Sequence, residues 1–160
     1  MSCIFAITGM TIEDDLFAEK LRIMIPQHES LQLLLIEDNP GDVRLTQEAL
    51  KEIPFSIQLS VVEDGESALA FLRREKPYTH VPHPDFILLD LHLPRKEGVE
   101  VLAEIKRDPT LRRIPVAVCL GLAEEQARVA PHQLLEDCII IKSIDAEQLR
   151  KALTHCRAAA

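Results

Sequence analysis

No run of lysines and arginines in this sequence is long enough to track a phosphate backbone; pairs such as Arg73-Arg74 and Arg112-Arg113 are too short. With a net charge of -8, this argues against nucleic acid as a direct partner. No C-x-x-C pair is present, and the four cysteines (Cys3, Cys119, Cys138, Cys156) are scattered without metal-ligand spacing. Cys119 and Cys138 fall inside apolar strand runs, where a free thiol behaves as a small hydrophobe. A reducing cytoplasm is the expected compartment. No apolar run approaches the length of a membrane span, and the N-terminus lacks the basic region of a secretory signal. There is no internal repeat and no low-complexity tract beyond a trailing Ala158-Ala159-Ala160, expected to fray. What is present is 160 residues with 47% hydrophobic content, enough for one core and one domain.

The stretch Phe86-Ile87-Leu88-Leu89-Asp90-Leu91-His92-Leu93-Pro94 organises the rest. A run of four apolar residues stops at a carboxylate, and Pro94 and Gly98 precede the next helical pattern. That is how a buried strand delivers one charge to a sheet's edge. Leu33-Leu34-Leu35-Ile36 likewise runs into Glu37-Asp38, and Ile139-Ile140-Ile141 into Lys142. In an open parallel sheet, ligands bind outside the carboxyl ends of the strands where strand order reverses. If the first and third strands flank that crevice, Glu37, Asp38 and Asp90 converge there. Like charges raise one another's pKa, and a hard cation such as Mg²⁺ relieves them by taking carboxylate oxygens. Lys142 adds a point charge suited to a phosphoryl oxygen. The expectation is an aspartyl nucleophile beside a metal and a lysine.

In chain order, Thr11 and Asp14 resemble a capping box, and Ile12, Leu16, Leu21 and Met24 could give one apolar side to a short helix ending at Pro26. Residues 1–30 are otherwise expected to be an extension, mobile or partly helical, and Met10 or Met24 could be an alternative start. From Leu31 strands and helices alternate. The strands are placed at 32–37, 57–61, 86–90, 115–120 and 138–142. Helices follow on Val43, Thr46, Ala49, Leu50 and Ile53; on Ala68, Leu69 and Leu72; on Val101, Leu102 and Ile105; over 124–135, broken by Pro131; and on Leu149, Ala152, Leu153 and Cys156. This predicts an α/β fold: a doubly wound five-stranded parallel sheet, covered on both faces.

Residues 31–157 resemble the receiver domain of two-component response regulators. The resemblance rests on Glu37-Asp38 after strand one, Asp90 with Leu93-Pro94 and Gly98 after strand three, and Lys142 after strand five. More narrowly, Glu37-Asp38-Asn39-Pro40-Gly41-Asp42, Asp90 to Gly98, and Ile105-Lys106-Arg107-Asp108-Pro109 look like stand-alone receivers that serve bacterial phytochrome kinases. The resemblance implies the flavodoxin-like strand order 2-1-3-4-5. It also implies Mg²⁺-dependent transfer of a phosphoryl group from a sensor histidine kinase to Asp90, with signalling through protein contacts rather than enzymatic turnover, apart from the receiver's help in its own phosphorylation and dephosphorylation. Glu37, Asp38 and Asp90 would hold the metal, His92 would add its backbone carbonyl, and Lys142 would contact the acyl phosphate. The His92 side chain stands where the family tunes hydrolysis of that phosphate, and a homodimer through helix four, strand five and helix five of the receiver would follow the relatives.

The departures from the family are equally specific. Its usual Thr or Ser at the end of strand four is Leu120, its Tyr or Phe in strand five is Ile139, the Pro after the lysine is Ser143, and the Gly near Leu135 is absent while Pro131 is present. Leucine offers no donor to a phosphoryl oxygen, and a ligand shifts an equilibrium only by its differential affinity for the two states. The switch is therefore expected to be weakened, and the alternative is a phosphorylation-indifferent pseudo-receiver acting as an adaptor.

Other residues carry less. His80 and His83 sit in a Pro-flanked loop with no third ligand; His28, His132 and His155 have no catalytic company; a buried Cys119 thiol is inert. A flavin site would want a Ser/Thr/Gly-rich loop where Asp38-Asn39-Pro40 stands. A phosphohydrolase with an Asp nucleophile would want a carboxylate where His92 stands.

Overall fold

The apolar runs become the strands of one all-parallel sheet: β1 (Leu31–Ile36), β2 (Ile57–Val62), β3 (Phe86–Asp90), β4 (Val116–Leu120) and β5 (Ile139–Ile141), ordered β2-β1-β3-β4-β5. A computed structural model describes residues 11–24, 30–122, 125–134 and 138–156. Among these, the helices are α1 (Ile12–Met24), α2 (Pro40–Lys51), α3 (Gly65–Leu72), α4 (Gly98–Arg107), α5 (Gln126–Val129) and α6 (Ala146–His155). All residues of β3 and β4 are buried, which is why those runs are apolar without alternation. Leu33, Leu35, Phe86, Leu88 and Ile140 pack with α1, α2 and α6, while Leu34, Ile36, Ile87, Leu89 and Val118 pack with α3, α4 and Val129 of α5.

Local chemistry starts the helices where the site needs them. The Asn39 side chain accepts from the Gly41 amide at 2.8 Å with Pro40 at the first helical position, so α2 begins directly after the acidic pair. Asp64 caps α3 by accepting from the Ser67 amide at 2.8 Å, and Asp145 forms a capping box with Gln148 on α6.

The helix expected over 124–135 is much shorter. α5 spans four residues and passes into a 3₁₀ turn at Ala130–His132, because Pro131 has no amide to continue it. Glu124, Leu135 and the terminal alanines lie outside the described residues, as do Cys3, Met10, Pro26 and His28. A second correction concerns the cysteines. Cys138, read as a free hydrophobe, is joined to Cys156 by a disulfide with Cα atoms 5.3 Å apart, tying the entry of β5 to the end of α6. Cys119 is free and buried, and burial pushes its thiol up to about 12. On the edge strand β2, Val61 is exposed and Val62 is buried.

α1 turns a different side inward from the one its pattern suggests. Phe17, Ala18 and Leu21 are buried, while Ile12 and Leu16 are exposed. Phe17, Ala18 and Leu21 make their own i, i+1, i+4 apolar side, and Arg150 of α6 reinforces it by donating to Asp14 at 2.6 Å and lying 5.4 Å from the centre of the Phe17 ring. Asp14 lies on that same side, with Phe17, Ala18 and Leu21 at i+3, i+4 and i+7. The Thr11 amide, then Arg150, hold the Asp14 carboxyl below its ordinary range. A carboxylate depressed in the folded state stabilises above its unfolded pKa and loses that effect as pH falls through the folded value. The protection factors of the α1 amides, taken against their intrinsic exchange rates, should therefore fall selectively below about pH 4, and in Asp14→Asn this fall should be absent.

Candidate functional site

β1 continues to β2 on one side and neighbours β3 on the other, so the order reverses between β1 and β3. Ile36 is registered with Leu89, which brings Glu37 and Asp90, each the next residue, side by side at the carboxyl rim. Leu120 is registered with Ile141, and the Lys142 amide donates to the Leu120 carbonyl at 2.8 Å. Lys142 thus enters the crevice from two strands away. The Lys142–Ser143 peptide is cis.

Glu37 and Asp90 are buried, at 2% and 4% exposure, while Asp38 is exposed. Glu37, Asp38 and Asp90 each offer a carboxylate oxygen, and these lie within 4.8 Å of one another. Three oxygen donors so placed, one open to solvent, fit a hard divalent cation such as Mg²⁺, which keeps water or phosphate oxygens in its remaining positions. Among the described residues no other such group of three occurs.

The Lys142 ammonium is 2.7 Å from Glu37 Oε2, 2.8 Å from Asp42 Oδ2 and 3.4 Å from Asp90 Oδ1. Burial raises the pKa of Glu37 against the pull of Lys142 and of the Asn39 amide, which donates to Oε1 at 3.0 Å. Burial likewise raises Asp90, opposed by Lys142 and by the backbone amides of His92 and Leu91. For Lys142, burial works downward, but its hydrogen bonds to Asp42 and Glu37 prevail and hold the ammonium above its ordinary value. Three carboxylates, Glu37, Asp42 and Asp90, face one lysine, with Asp38 beside them, and a divalent cation held there would supply charge that offsets the excess and stabilises phosphoryl oxygens.

The structure thus brings together Glu37, Asp38, Asp90 and Lys142. Leu120, fully buried, lines the neighbouring strand end, and Ile139, half-buried, packs on the α4 side of the sheet. The His92 side chain leaves the acidic group and pairs instead with Glu125. Glu125 also accepts from the Gly121 and Leu122 amides at 2.9 and 3.1 Å, so one carboxylate joins the loops that follow β3 and β4. Two participants went unread in the sequence. Asp42 had a signal: Pro40 starts α2, which sets Asp42 in the first turn at the rim. Glu125 had none, because its partner is 33 residues away.

The chain belongs to the response regulator receiver domain family, whose model matches residues 33–154. Response regulator Rcp1 of Synechocystis is 44% identical over 119 residues, spanning 74% of this chain and 81% of that protein. The structure of the Mn²⁺-bound form of Rcp1 superposes with a TM-score of 0.65 at 42% identity, covering 78% of this chain and 89% of that one. The bacteriophytochrome response regulator AtBRR gives 0.74 at 33% identity, covering 83% and 96%. Membership makes this a signalling protein that works with a histidine kinase. No helix among the described residues is long and apolar enough to cross a membrane.

Proposed function

We propose that Asp90 accepts a phosphoryl group from the phosphohistidine of a sensor histidine kinase. An Asp90 oxygen forms the new P–O bond as the P–N bond breaks, and the electron pair returns to the imidazole nitrogen. The observation that carries this is a buried Asp90 carboxylate with the Lys142 ammonium 3.4 Å away. Glu37, Asp38 and Asp90, with the His92 carbonyl, would hold Mg²⁺, and Lys142 would take a phosphoryl oxygen. The test is incorporation of label from acetyl phosphate. The expected result is stoichiometric labelling with Mg²⁺ and none after chelation; a folded protein that stays unlabelled sinks the reading.

The relatives named as phytochrome response regulators support a phytochrome as the kinase, and a kinase of that type supports a cytoplasmic location. Receiver function is assigned to residues 31–157, with 1–30 as an accessory extension. Water hydrolyses the acyl phosphate on the protein, at a rate the His92 side chain tunes through its pairing with Glu125. A second copy would dock on α5, β5 and α6. Nucleic acid is disfavoured as a partner by the net charge of -8.

Leu120 and Ile139 occupy the switch positions. Leu120 cannot reward a phosphoryl oxygen with a hydrogen bond, so phosphorylation biases the loop after β4 less than a hydroxyl would. Beryllofluoride, an acyl-phosphate mimic, is expected to shift the resonances of residues 37–42 and 90–92 and leave those of α5 and β5 within roughly the line width. Shifts as large in α5 and β5 as at the site would contradict this.

A further inference from the structure

We propose that Asp42 is a positioning residue that holds the Lys142 ammonium back from Asp90 until the phosphoryl group arrives, and so limits the rate at which Asp90 is phosphorylated. The inference rests on Asp90 being the phosphoacceptor. A lysine has three N–H donors, and two are spent at hydrogen-bond distance on Glu37 (2.7 Å) and Asp42 (2.8 Å), leaving Asp90 the longest contact at 3.4 Å. A phosphoryl oxygen arriving on Asp90 must draw the ammonium toward itself. Interactions stronger in the starting state than in the transition state raise a barrier, and the Asp42 contact is of that kind.

Asp42 is well placed to exert such a pull. It sits in the first turn of α2, fixed by the Asn39 cap and Pro40, and its carbonyl accepts from the hydroxyl of the buried Thr46 at 2.9 Å. It is not among the three residues whose oxygens form the acidic cluster. Its hold on the lysine therefore does not depend on whether a cation engages Glu37. Its charge also faces any anionic phosphodonor at the rim, which acts in the same direction.

The variants are Asp42→Asn, near-isosteric at a position a quarter exposed, and Asp42→Glu, which keeps the charge. With acetyl phosphate and Mg²⁺, the initial rate for Asp42→Asn should rise roughly fivefold, as expected for loss of one partly exposed charge-assisted contact; Asp42→Glu should stay near wild type. In protein without phosphodonor, the ¹⁵N-ammonium resonance of Lys142 should broaden in Asp42→Asn and return in Asp42→Glu, a change that a general loss of helix stability would not produce. An Asp42→Asn rate equal to or below wild type, or an unchanged Lys142 resonance, overturns the proposal. A wild type that takes no label overturns the phosphoacceptor reading and this one together, whereas failure of this inference alone leaves wild type labelled and Asp42→Asn no faster.

Discussion

Asp90→Asn is expected to take up no phosphoryl group from acetyl phosphate and yet to melt at a higher temperature than wild type at neutral pH. Loss of uptake follows because an amide is not the anionic nucleophile the reaction needs. One of the three clustered carboxylates goes with it, so divalent-ion affinity should fall roughly tenfold or more. The gain in stability comes from the opposite side of the same chemistry. Burial raises the Asp90 pKa above its ordinary value, so the ionised form present at neutral pH is less favourable in the folded chain than in the unfolded one. For a carboxylate of raised pKa, stability is fullest below the unfolded value and declines as pH rises toward the folded one. Asparagine keeps the shape and one acceptor oxygen without that charge. Thermal melts at pH 7 and pH 4 check it: the advantage of Asp90→Asn should shrink at the lower pH. Activity lost with stability lost would instead indicate misfolding.

Gly98→Ala should have the largest structural effect of any single methyl added near the site. A Cβ at Gly98 would lie 2.1 Å from the Asp90 carbonyl oxygen and 2.7 Å from Leu91 Cα. Both are backbone atoms of the chain that leaves β3, and the Gly98 amide donates to the Leu91 carbonyl at 2.9 Å. Neither side can yield without moving Asp90. A destabilisation of about 3 kcal/mol is expected, in the range for overpacking against a fixed backbone, with weaker divalent-ion binding alongside. Gly121→Ala is the matching control, since its Cβ meets only Glu125 Oε2 at 3.6 Å; its cost should stay within about 0.5 kcal/mol. Urea titrations of the two variants decide it, and equal midpoints would refute the close approach.

The architecture was legible because buried parallel strands advertise themselves. Runs such as Phe86–Leu89 and Val116–Leu120 admit few other placements, and the charges directly after the Leu33–Ile36, Phe86–Leu89 and Ile139–Ile141 runs mark the rim. Glu37, Asp38, Asp90 and Lys142 could be gathered from those endings before any coordinates. The misreadings occurred where tertiary contacts overrode local pattern. α1 buries Phe17, Ala18 and Leu21 against α6 instead of the side that carries Ile12 and Leu16. The disulfide depends on Cys138 and Cys156 meeting across a strand and a helix, which no spacing announces. Asp42 was visible as a residue and invisible as a partner, since its role is defined by a lysine 100 positions later.

The Cys138–Cys156 bond makes the same polypeptide two different objects for a calorimeter. Closing an 18-residue stretch restricts the denatured chain by about 3 kcal/mol in the loop-entropy picture. A preparation kept under a dithiol should consequently unfold several degrees below an aerobic one, with the deficit falling on the terminal strand that presents the ammonium to the acidic rim.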